Sequence, residues 1–248
     1  MASLSTELPA ALPSLAPSQC WGVRPATRSD YWAIADVHCG VFYPEAHIMG
    51  CLLRMDRVFA LQMGEHFEKL DNEERFCCLM ADAEPAAIDP LAPLSRGLGL
   101  TPWVKRVLPA ALQDGFGSDA VSGGAVGSVV IDTLAEHIPP RRVVLPGQVG
   151  FTRRRGLAYL SNLAVVATAR RSGVARRLLR EAERVAFTDW GCRALALHVD
   201  PDNTPACALY KNAGYRVAAA EPRWVPWLQG RPNVRLVLMM KVAPRRKR

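Results

Sequence analysis

The sequence contains no long hydrophobic run. None of its apolar stretches approaches the roughly 18 consecutive residues that a membrane-spanning helix requires, so we expect a soluble protein without a membrane partner. Paired cysteines are missing as well. The seven cysteines are scattered and form no C-x-x-C pair, which argues against a structural zinc site and against a disulfide framework. A reducing compartment is therefore expected.

What the sequence does contain is the composition of a globular protein with excess positive charge. Half of the residues are hydrophobic and 22% are charged. Lys and Arg number 31 against 23 Asp and Glu, which gives a net charge of +8. This charge suits an anionic ligand, a nucleic acid or a ribosomal surface without choosing among them. Residues 244–248 are predicted to form a basic tail.

The first 20 residues have a composition of their own. They are rich in Ser, Ala, Pro and Leu, with one acidic residue and no basic one. Pro9, Pro13 and Pro17 interrupt the apolar run that a secretory signal needs. Few acidic residues and many serines are typical of a plastid transit segment, whereas the lack of Arg is not. We hypothesise a chloroplast location, with the cytoplasm as the alternative.

We predict one domain over residues 21–243, of the α/β or α+β class with a mixed β-sheet. Two inserts, at about 85–123 and 136–154, read as irregular: the first is rich in Pro, Gly, Ala and Asp, and the second is basic. Before and between them the pattern predicts a strand at 22–26, a helix capped by Ser29 and Asp30 that ends near 42, a helix at 46–70, and strands at 75–80 and 126–131.

The clearest pattern lies in residues 157–217. A buried strand at 157–166 precedes a helix at about 173–190, whose apolar residues fall on one face. Because another strand follows at 194–199, this order predicts parallel pairing at the centre of the sheet. A short helix capped by Thr204 and a final strand at 235–242 complete the prediction.

The turn before the long helix has the features of an anion site. It reads Arg170-Arg171-Ser172-Gly173-Val174-Ala175. The first turn of a helix has N–H groups without internal acceptors, and the helix dipole places positive charge there. Gly173 and the small Ala175 let a ligand approach the backbone closely. A diphosphate suits this turn, and a plain tight turn with solvated arginines is the structural alternative.

Two motifs in this region resemble those of the GNAT superfamily of N-acetyltransferases. R-x-x-G-x-A at residues 170–175 is similar to the acetyl-CoA motif [QR]-x-x-G-x-[GA] of that superfamily. Downstream, residues 203–215 resemble its second half, N-x-x-A-x-x-L-Y-x-x-x-G-[FY]. The resemblance implies a mixed central sheet with splayed parallel strands flanked by helices. The close match covers about residues 157–217.

The resemblance also implies where acetyl-CoA binds. The pantetheine arm is expected along the backbone of Leu163, Ala164 and Val165, and the pyrophosphate on the turn, with Arg170 at the leading position of the motif. Asn203 is expected to form a hydrogen bond with the pantetheine, and Tyr210 to lie near the thioester sulfur. No metal is implied. The residues expected under the pyrophosphate are Arg171, Ser172, Gly173, Val174 and Ala175.

Acetyl transfer to an amine needs a general base for the ammonium and a general acid for the departing thiolate. Tyr210 matches the usual proton donor of the family. For the base, His198 is the first candidate, because free imidazole has a pKa near 6.5, and Tyr159 is the second. Together they resemble the Tyr and His of NatE-type N-terminal acetyltransferases. The alternative for each is a strand residue that packs or hydrogen-bonds within the sheet.

These features favour an acetyltransferase acting on protein or peptide amines, either N-terminal α-amines or lysine ε-amines. The basic clusters suggest ribosome association. The alternatives are a small-molecule amine acetyltransferase of the polyamine type, or a non-catalytic module that binds CoA or nucleic acid. Against a nucleic-acid partner, no aromatic residues interleave with the arginine runs. Plastid GNAT enzymes that modify both kinds of amine are the suggested group.

The transit hypothesis makes a direct prediction. A reporter fused to residues 1–40 should be imported by isolated chloroplasts, since this segment would carry the targeting information. The measurement is protease protection of the imported reporter, with the unfused reporter as control. Absence of uptake would contradict the hypothesis.

Overall fold

The computed structural model describes 21–43, 50–70, 74–82, 124–133, 141–145, 148–152, 156–221 and 235–244. The hypothesised transit segment, the 85–123 insert and the basic tail beyond 244 lie outside these ranges. Within them, no helix combines the length and apolar character that a membrane span requires.

In the described ranges the chain forms four α-helices and nine strands. The helices are α1 (Tyr31–Phe42), α2 (Gly50–Leu70), α3 (Val174–Arg184) and α4 (Thr204–Asn212). The strands are β1 (Gly22–Pro25), β2 (Phe76–Asp82), β3 (Ala125–Asp132), β4 (Arg141–Leu145), β5 (Gln148–Thr152), β6 (Leu157–Val165), β7 (Ala194–Val199), β8 (Arg216–Ala220) and β9 (Val237–Val242).

Seven of these strands build one mixed sheet in the order β1-β2-β3-β6-β7-β9-β8. All neighbours are antiparallel except β6 and β7, which are parallel. Their pairing runs from Leu157 opposite Ala194 to Tyr159 opposite Ala196 and then stops. Because β6 continues to Val165, the two parallel strands diverge. The predicted mixed sheet with splayed parallel strands is confirmed.

Helix α3 covers one face of the sheet, as its amphipathic pattern predicts. Its apolar stripe continues into a π-helical turn, Val185–Asp189. The stripe packs on the side chains of Leu79, Ile131 and Leu195 in one core. Full burial of a Leu or Val side chain contributes about 1.5–3 kcal/mol, so this stripe holds the helix to the sheet. Its buried members are Val174, Leu178, Leu179, Ala182, Val185 and Ala186.

Helices α1 and α2 cover the opposite face. Ile34 of α1 and Leu61 of α2 pack with Met80 and Val130 in a second core. Adjacent cysteines in β2 illustrate the two faces: Cys78 belongs to this second core, whereas Cys77 packs against the α3 side. Adjacent side chains of a strand point to opposite faces of a sheet, and these two do so.

The predicted helix caps are wrong in detail. Before α1, Thr27 rather than Ser29 forms a capping box with Asp30 around a short 3₁₀ turn, Arg28–Asp30. Before α4, the side chain of Asn203 accepts a hydrogen bond from the Ala206 amide at 3.2 Å, so Asn203 is the N-cap and Thr204 is the first helical residue. In both cases the side-chain oxygen that accepts from the open N–H groups belongs to a residue earlier in the chain than the predicted cap.

Two sheet elements contradict the sequence interpretation. Residues 141–152, read as irregular, contain the antiparallel hairpin of β4 and β5, with Leu145 opposite Gln148. The β-branched pair Val143 and Val144 favoured a strand, but the neighbouring arginines made the segment resemble a basic loop. Strand β8 was not predicted at all. Its three alanines favour helix, and pairing with β9 overrides that preference.

The close approach of β3, β6 and α3 generates a stability prediction at Gly127. A Cβ atom there would lie 2.9 Å from the Ala164 carbonyl oxygen and 3.0 Å from Leu178 Cδ1. Gly127→Ala should therefore lower the free energy of unfolding by about 1–3 kcal/mol, measured by urea denaturation. Gly22→Ala is the matched control, since a Cβ atom there meets nothing within 4 Å. Equal effects of the two substitutions would contradict the account.

Candidate active site

The gap between β6 and β7 is the first component of the site. Beyond Tyr159, the β7-facing edge of β6 has no strand partner among the described residues. On its other edge, β6 stays paired with β3 through Ala164 opposite Ser128 and Val165 opposite Gly127. The strand is thus held from one side only, and its open edge presents backbone polar groups. Leu163, Ala164 and Val165 lie along this stretch, as expected from the resemblance.

A bulge shapes β6 at the point where the gap opens. Ser161 pairs with Val130 while Ala164 pairs with Ser128, so two residues of β6 lie opposite one residue of β3. Asn162 occupies the bulge with φ 55°, a left-handed conformation that is uncommon outside glycine. Bulges of this kind redirect side chains and often lie next to active sites.

The turn before α3 is the second component. Gly173 is the N-cap of the helix with φ 92°, and no side chain in the described part of the chain caps the open N–H groups of the helix. A Cβ atom at Gly173 would meet nothing within 4 Å, so the backbone is approachable there. Arg171 also adopts a left-handed conformation, with φ 65°. Uncapped amides, the helix dipole and exposed Arg170 and Arg171 together favour an anion.

Side chains within this turn fix its shape. The Ser172 hydroxyl donates to the Ala169 carbonyl oxygen at 2.6 Å, so the side chain of Ser172 braces the turn. Arg170 Nε donates to the Val165 carbonyl oxygen at 3.3 Å. This contact joins the turn to the open end of β6. Val174 is buried in the core, whereas Ala175 is only partly buried, so Ala175 is the more accessible of the two.

Asn203 lies at the start of α4, in an exposed position. Its side-chain oxygen is engaged as the N-cap of the helix. An amide has two N–H donors in addition to its oxygen, so the NH₂ group can still donate to a ligand carbonyl. Capping and the expected contact with pantetheine are therefore compatible.

Tyr210 lies on the buried face of α4. Its ring meets the ring of Tyr215 edge-on, with centroids 5.8 Å apart. Burial raises the pKa of Tyr210 above its ordinary value, and the nearby Tyr159 adds to the rise. The phenol is therefore protonated at neutral pH. Its hydroxyl makes no hydrogen bond to any described residue, so its proton remains available to a ligand.

Tyr159 and His198 meet across the gap. Tyr159 is opposite Ala196 in the parallel register, and His198 is two residues further along β7, on the same face. Tyr159 Oη and His198 Nδ1 are 2.8 Å apart, within hydrogen-bond distance. Burial raises the pKa of Tyr159 to about 12, so this phenol also stays protonated. The structure therefore brings together the two residues that the sequence paired.

One residue of this region was missed by the sequence interpretation. Arg57 of α2 lies against the β6 bulge, where Asn162 turns its amide towards the guanidinium. No motif contains Arg57. A signal was present nonetheless. The inward stripe of α2 contains Arg54 and Arg57 beside Val58 and Leu61, and arginine is seldom buried unless it has a partner.

No group of three or more His, Cys, Asp and Glu side chains in the described part of the chain is arranged to hold a metal ion. The groups in and around the gap are phenols, an imidazole, amides and guanidinium groups. These groups transfer protons and bind anions and carbonyl oxygens. The arrangement can therefore hold a phosphorylated ligand at the α3 turn and perform acid–base chemistry beside it.

Comparison with protein families and curated sequences agrees with this geometry. Residues 115–215 match the acetyltransferase (GNAT) family. GCN5-related N-acetyltransferase 4, chloroplastic, from Arabidopsis thaliana is 32% identical over 223 residues, which cover 89% of this chain and 69% of the relative. GCN5-related N-acetyltransferase 10, chloroplastic, from the same plant is 40% identical over 83 residues, covering 34% of this chain and 31% of the relative.

Solved structures show the same fold. A GNAT-family protein from Desulfovibrio desulfuricans superposes with a TM-score of 0.53 at 14% identity, covering 90% of this chain and 99% of that one. A chimeric spermidine N-acetyltransferase that includes Vibrio cholerae sequence superposes with a TM-score of 0.51 at 15% identity, covering 91% and 96%. The sequence relationship, together with the open strand pair and the uncapped turn before α3, shows that the chain belongs to the GNAT family and is an acetyl-CoA-dependent N-acetyltransferase.

Proposed function

We propose that this enzyme transfers acetyl groups to protein amines, either N-terminal α-amines or lysine ε-amines. The observation that carries this proposal is the hydrogen-bonded pair of Tyr159 and His198 at the mouth of the β6–β7 gap. An amine entering from this face would meet an imidazole whose orientation is set by a phenol. A plastid location is part of the proposal, supported by the chloroplastic name of the relative that is 32% identical.

The cofactor assignments are part of the proposal. The open edge of β6 at Leu163, Ala164 and Val165 supplies backbone groups for the pantetheine amides. The pyrophosphate accepts hydrogen bonds from the uncapped amides of α3, supported by the open space at Gly173. The residues of the turn in this role are Arg170, Arg171, Ser172, Gly173, Val174 and Ala175. The free NH₂ group of Asn203 donates a hydrogen bond to pantetheine.

In the proposed mechanism, His198 removes a proton from the acceptor ammonium, directly or through one water molecule. Tyr159 holds the imidazole in place. The neutral amine then attacks the thioester carbonyl carbon, and the C–S bond breaks as the C–N bond forms. Tyr210 donates its proton to the departing thiolate, and the resulting phenolate takes up the second proton of the acetylated nitrogen, which leaves the neutral amide. The proton held by His198 passes to solvent. Burial raises the pKa of this phenol, so Tyr210 carries its proton at neutral pH and can act as the acid.

The test is mass spectrometry of bacterial proteins after co-expression with the enzyme. New acetyl groups are expected on protein α-amines, lysine ε-amines or both, and the two positions are resolved by the fragment spectra. Cells that express Tyr210→Phe at the same level are the control. Unchanged protein acetylation together with new acetylated polyamine in the extract would contradict the proposal and favour the small-molecule alternative.

The cofactor turn predicts a loss of CoA affinity in Gly173→Ala. An alanine at φ 92° is strained by about 1–2 kcal/mol, and relief of the strain would turn the α3 amides away from the anion. The dissociation constant should rise about tenfold or more, measured by titration calorimetry. Gly191→Ala is the matched control, because Gly191 also has a positive φ and open space, at the far end of the same helical segment. Equal affinity losses would contradict the assignment.

The acid role predicts a specific defect in Tyr210→Phe. Without the phenolic proton, kcat should fall by about 100-fold or more, while the CoA dissociation constant stays nearly unchanged. Steady-state kinetics and calorimetry measure the two quantities. Tyr215→Phe removes the hydroxyl from the edge-on neighbour and should retain turnover. Loss of CoA binding in parallel with turnover would count against the acid role.

The base role predicts a change in the pH–rate profile of His198→Ala. A base works only when unprotonated, so the wild-type rate should rise with pH through the titration of the imidazole and then level off. His198→Ala should lack this acidic limb and be slower at neutral pH. His66→Ala, an exposed histidine on α2, should keep the profile. An unaltered limb in His198→Ala would remove His198 as the base.

A further inference from the structure

Helix α2 turns two arginines towards the sheet, and they differ in their partners. Arg54 is paired: its Nε donates to Asp36 Oδ1, and its Nη1 donates to the Gly50 carbonyl oxygen at 2.8 Å. Arg57, one turn later, has no carboxylate partner among the described residues. The same helix therefore carries one satisfied inward guanidinium and one that lacks a counter-charge.

The hydrogen bonds of Arg57 are incomplete. Asn162 Oδ1 lies 3.0 Å from Nη1 and 3.2 Å from Nη2, with the amide oriented so that its oxygen faces the guanidinium. The opposite orientation would place donors against donors. The buried Nε has no acceptor. Because a guanidinium has five donors in a planar fork, Nε and the outer N–H groups remain after Asn162 has taken two.

His38 of α1 adds a second unsatisfied group at this position. Its Nδ1 is buried and has no partner in the described part of the chain. Burial and, to a smaller extent, the Arg57 charge together lower the pKa of His38 to about 4, so the ring is neutral and adds no charge. Burial also lowers the pKa of Arg57. Unsatisfied buried groups are few in folded proteins, and two together call for an explanation.

The position of the cluster supplies that explanation. Arg57 and His38 lie on the α1–α2 face of the sheet, the face that also carries Tyr159 and His198. Asn162 is three residues beyond Tyr159, about 10 Å along the strand. It immediately precedes Leu163, where the proposed pantetheine path begins. The guanidinium therefore lies on the same face of the sheet as the Tyr159–His198 pair, against the residue that precedes the proposed pantetheine path.

We infer that Arg57 binds a carboxylate of the acceptor, an acidic side chain within one or two residues of the amine that is acetylated. This inference rests on the proposed function. A carboxylate accepts two parallel N–H bonds from a guanidinium and supplies the missing counter-charge. Asn162 holds the fork in orientation, and the β6 bulge places Asn162. Arg57 is thus a specificity-determining residue for acceptors with an acidic residue beside the amine.

The experiment compares peptide acceptors that differ only in a charge. Pairs carry Glu or its uncharged isostere Gln at the second or third position, and further pairs carry Glu or Gln beside a single lysine with a blocked N-terminus. The α-amine and ε-amine arms distinguish the two kinds of acceptor. Steady-state kcat and KM are measured for wild type, Arg57→Gln and Arg57→Lys. Arg180→Gln, an exposed arginine on the opposite face, controls for net charge.

The wild type should favour at least one Glu peptide over its Gln partner by about tenfold or more in kcat/KM, and the difference should lie in KM. A hydrogen bond between charged groups supports an effect of this size. Arg57→Gln should abolish this preference by raising KM for the Glu peptide while kcat and the Gln peptide change little. Arg57→Lys should keep part of the preference, and Arg180→Gln all of it.

Equal kcat/KM for every Glu and Gln pair in the wild type would overturn the inference while leaving the proposed function intact. Equal losses on both peptides in Arg57→Gln and Arg57→Lys would also overturn it, because a merely structural arginine acts on all acceptors alike. If Arg57→Gln fails to fold, Arg57→Lys provides the test. An increase in KM for the Glu peptide alone would support the inference, and an equal increase in KM for the Glu and Gln peptides would contradict it. A wild type that acetylates no peptide contradicts the proposed function itself.

Discussion

The structure depends on the divergence of two parallel strands. β6 and β7 share only three register positions, and after Tyr159 opposite Ala196 they separate. An open strand edge inside a protein costs free energy unless its backbone groups find partners. Here β6 remains paired with β3, and the apolar stripe of α3 packs against one face of both β6 and β7. In the proposed cofactor assignment, a ligand with amide groups along its length completes the open edge, and the incomplete sheet becomes a binding site.

The elements around the gap divide the chemistry between the two faces of the sheet. On one face, the turn before α3 concentrates uncapped amides and arginines, which suits phosphate. On the other face, Tyr159 and His198 lie with the α1–α2 layer. Its Arg57 faces the β6 bulge and has no carboxylate partner among the described residues. The gap connects the faces, so a thioester passing through it would meet an amine held on the far side. In the proposed mechanism, binding energy and proton transfer are thus supplied by different layers of one domain.

Much of this could be predicted from the sequence, because the informative signals are local. The α3 stripe repeats with helical period, Gly173 marks a left-handed N-cap, and a strand on either side of α3 implies parallel pairing. What could not be predicted depends on tertiary contacts. The alanines of β8 become a strand only because β9 pairs with them. Arg57 gains meaning only when the fold sets it against Asn162, 105 positions later in the chain.

Hydrogen–deuterium exchange with and without CoA tests the central claim most directly. The account predicts slower exchange, on CoA binding, in the peptides that span residues 163–165 at the open edge of β6 and 173–176 at the start of α3, with the antiparallel β8–β9 pair unchanged. Binding of CoA without protection at either stretch would contradict the account.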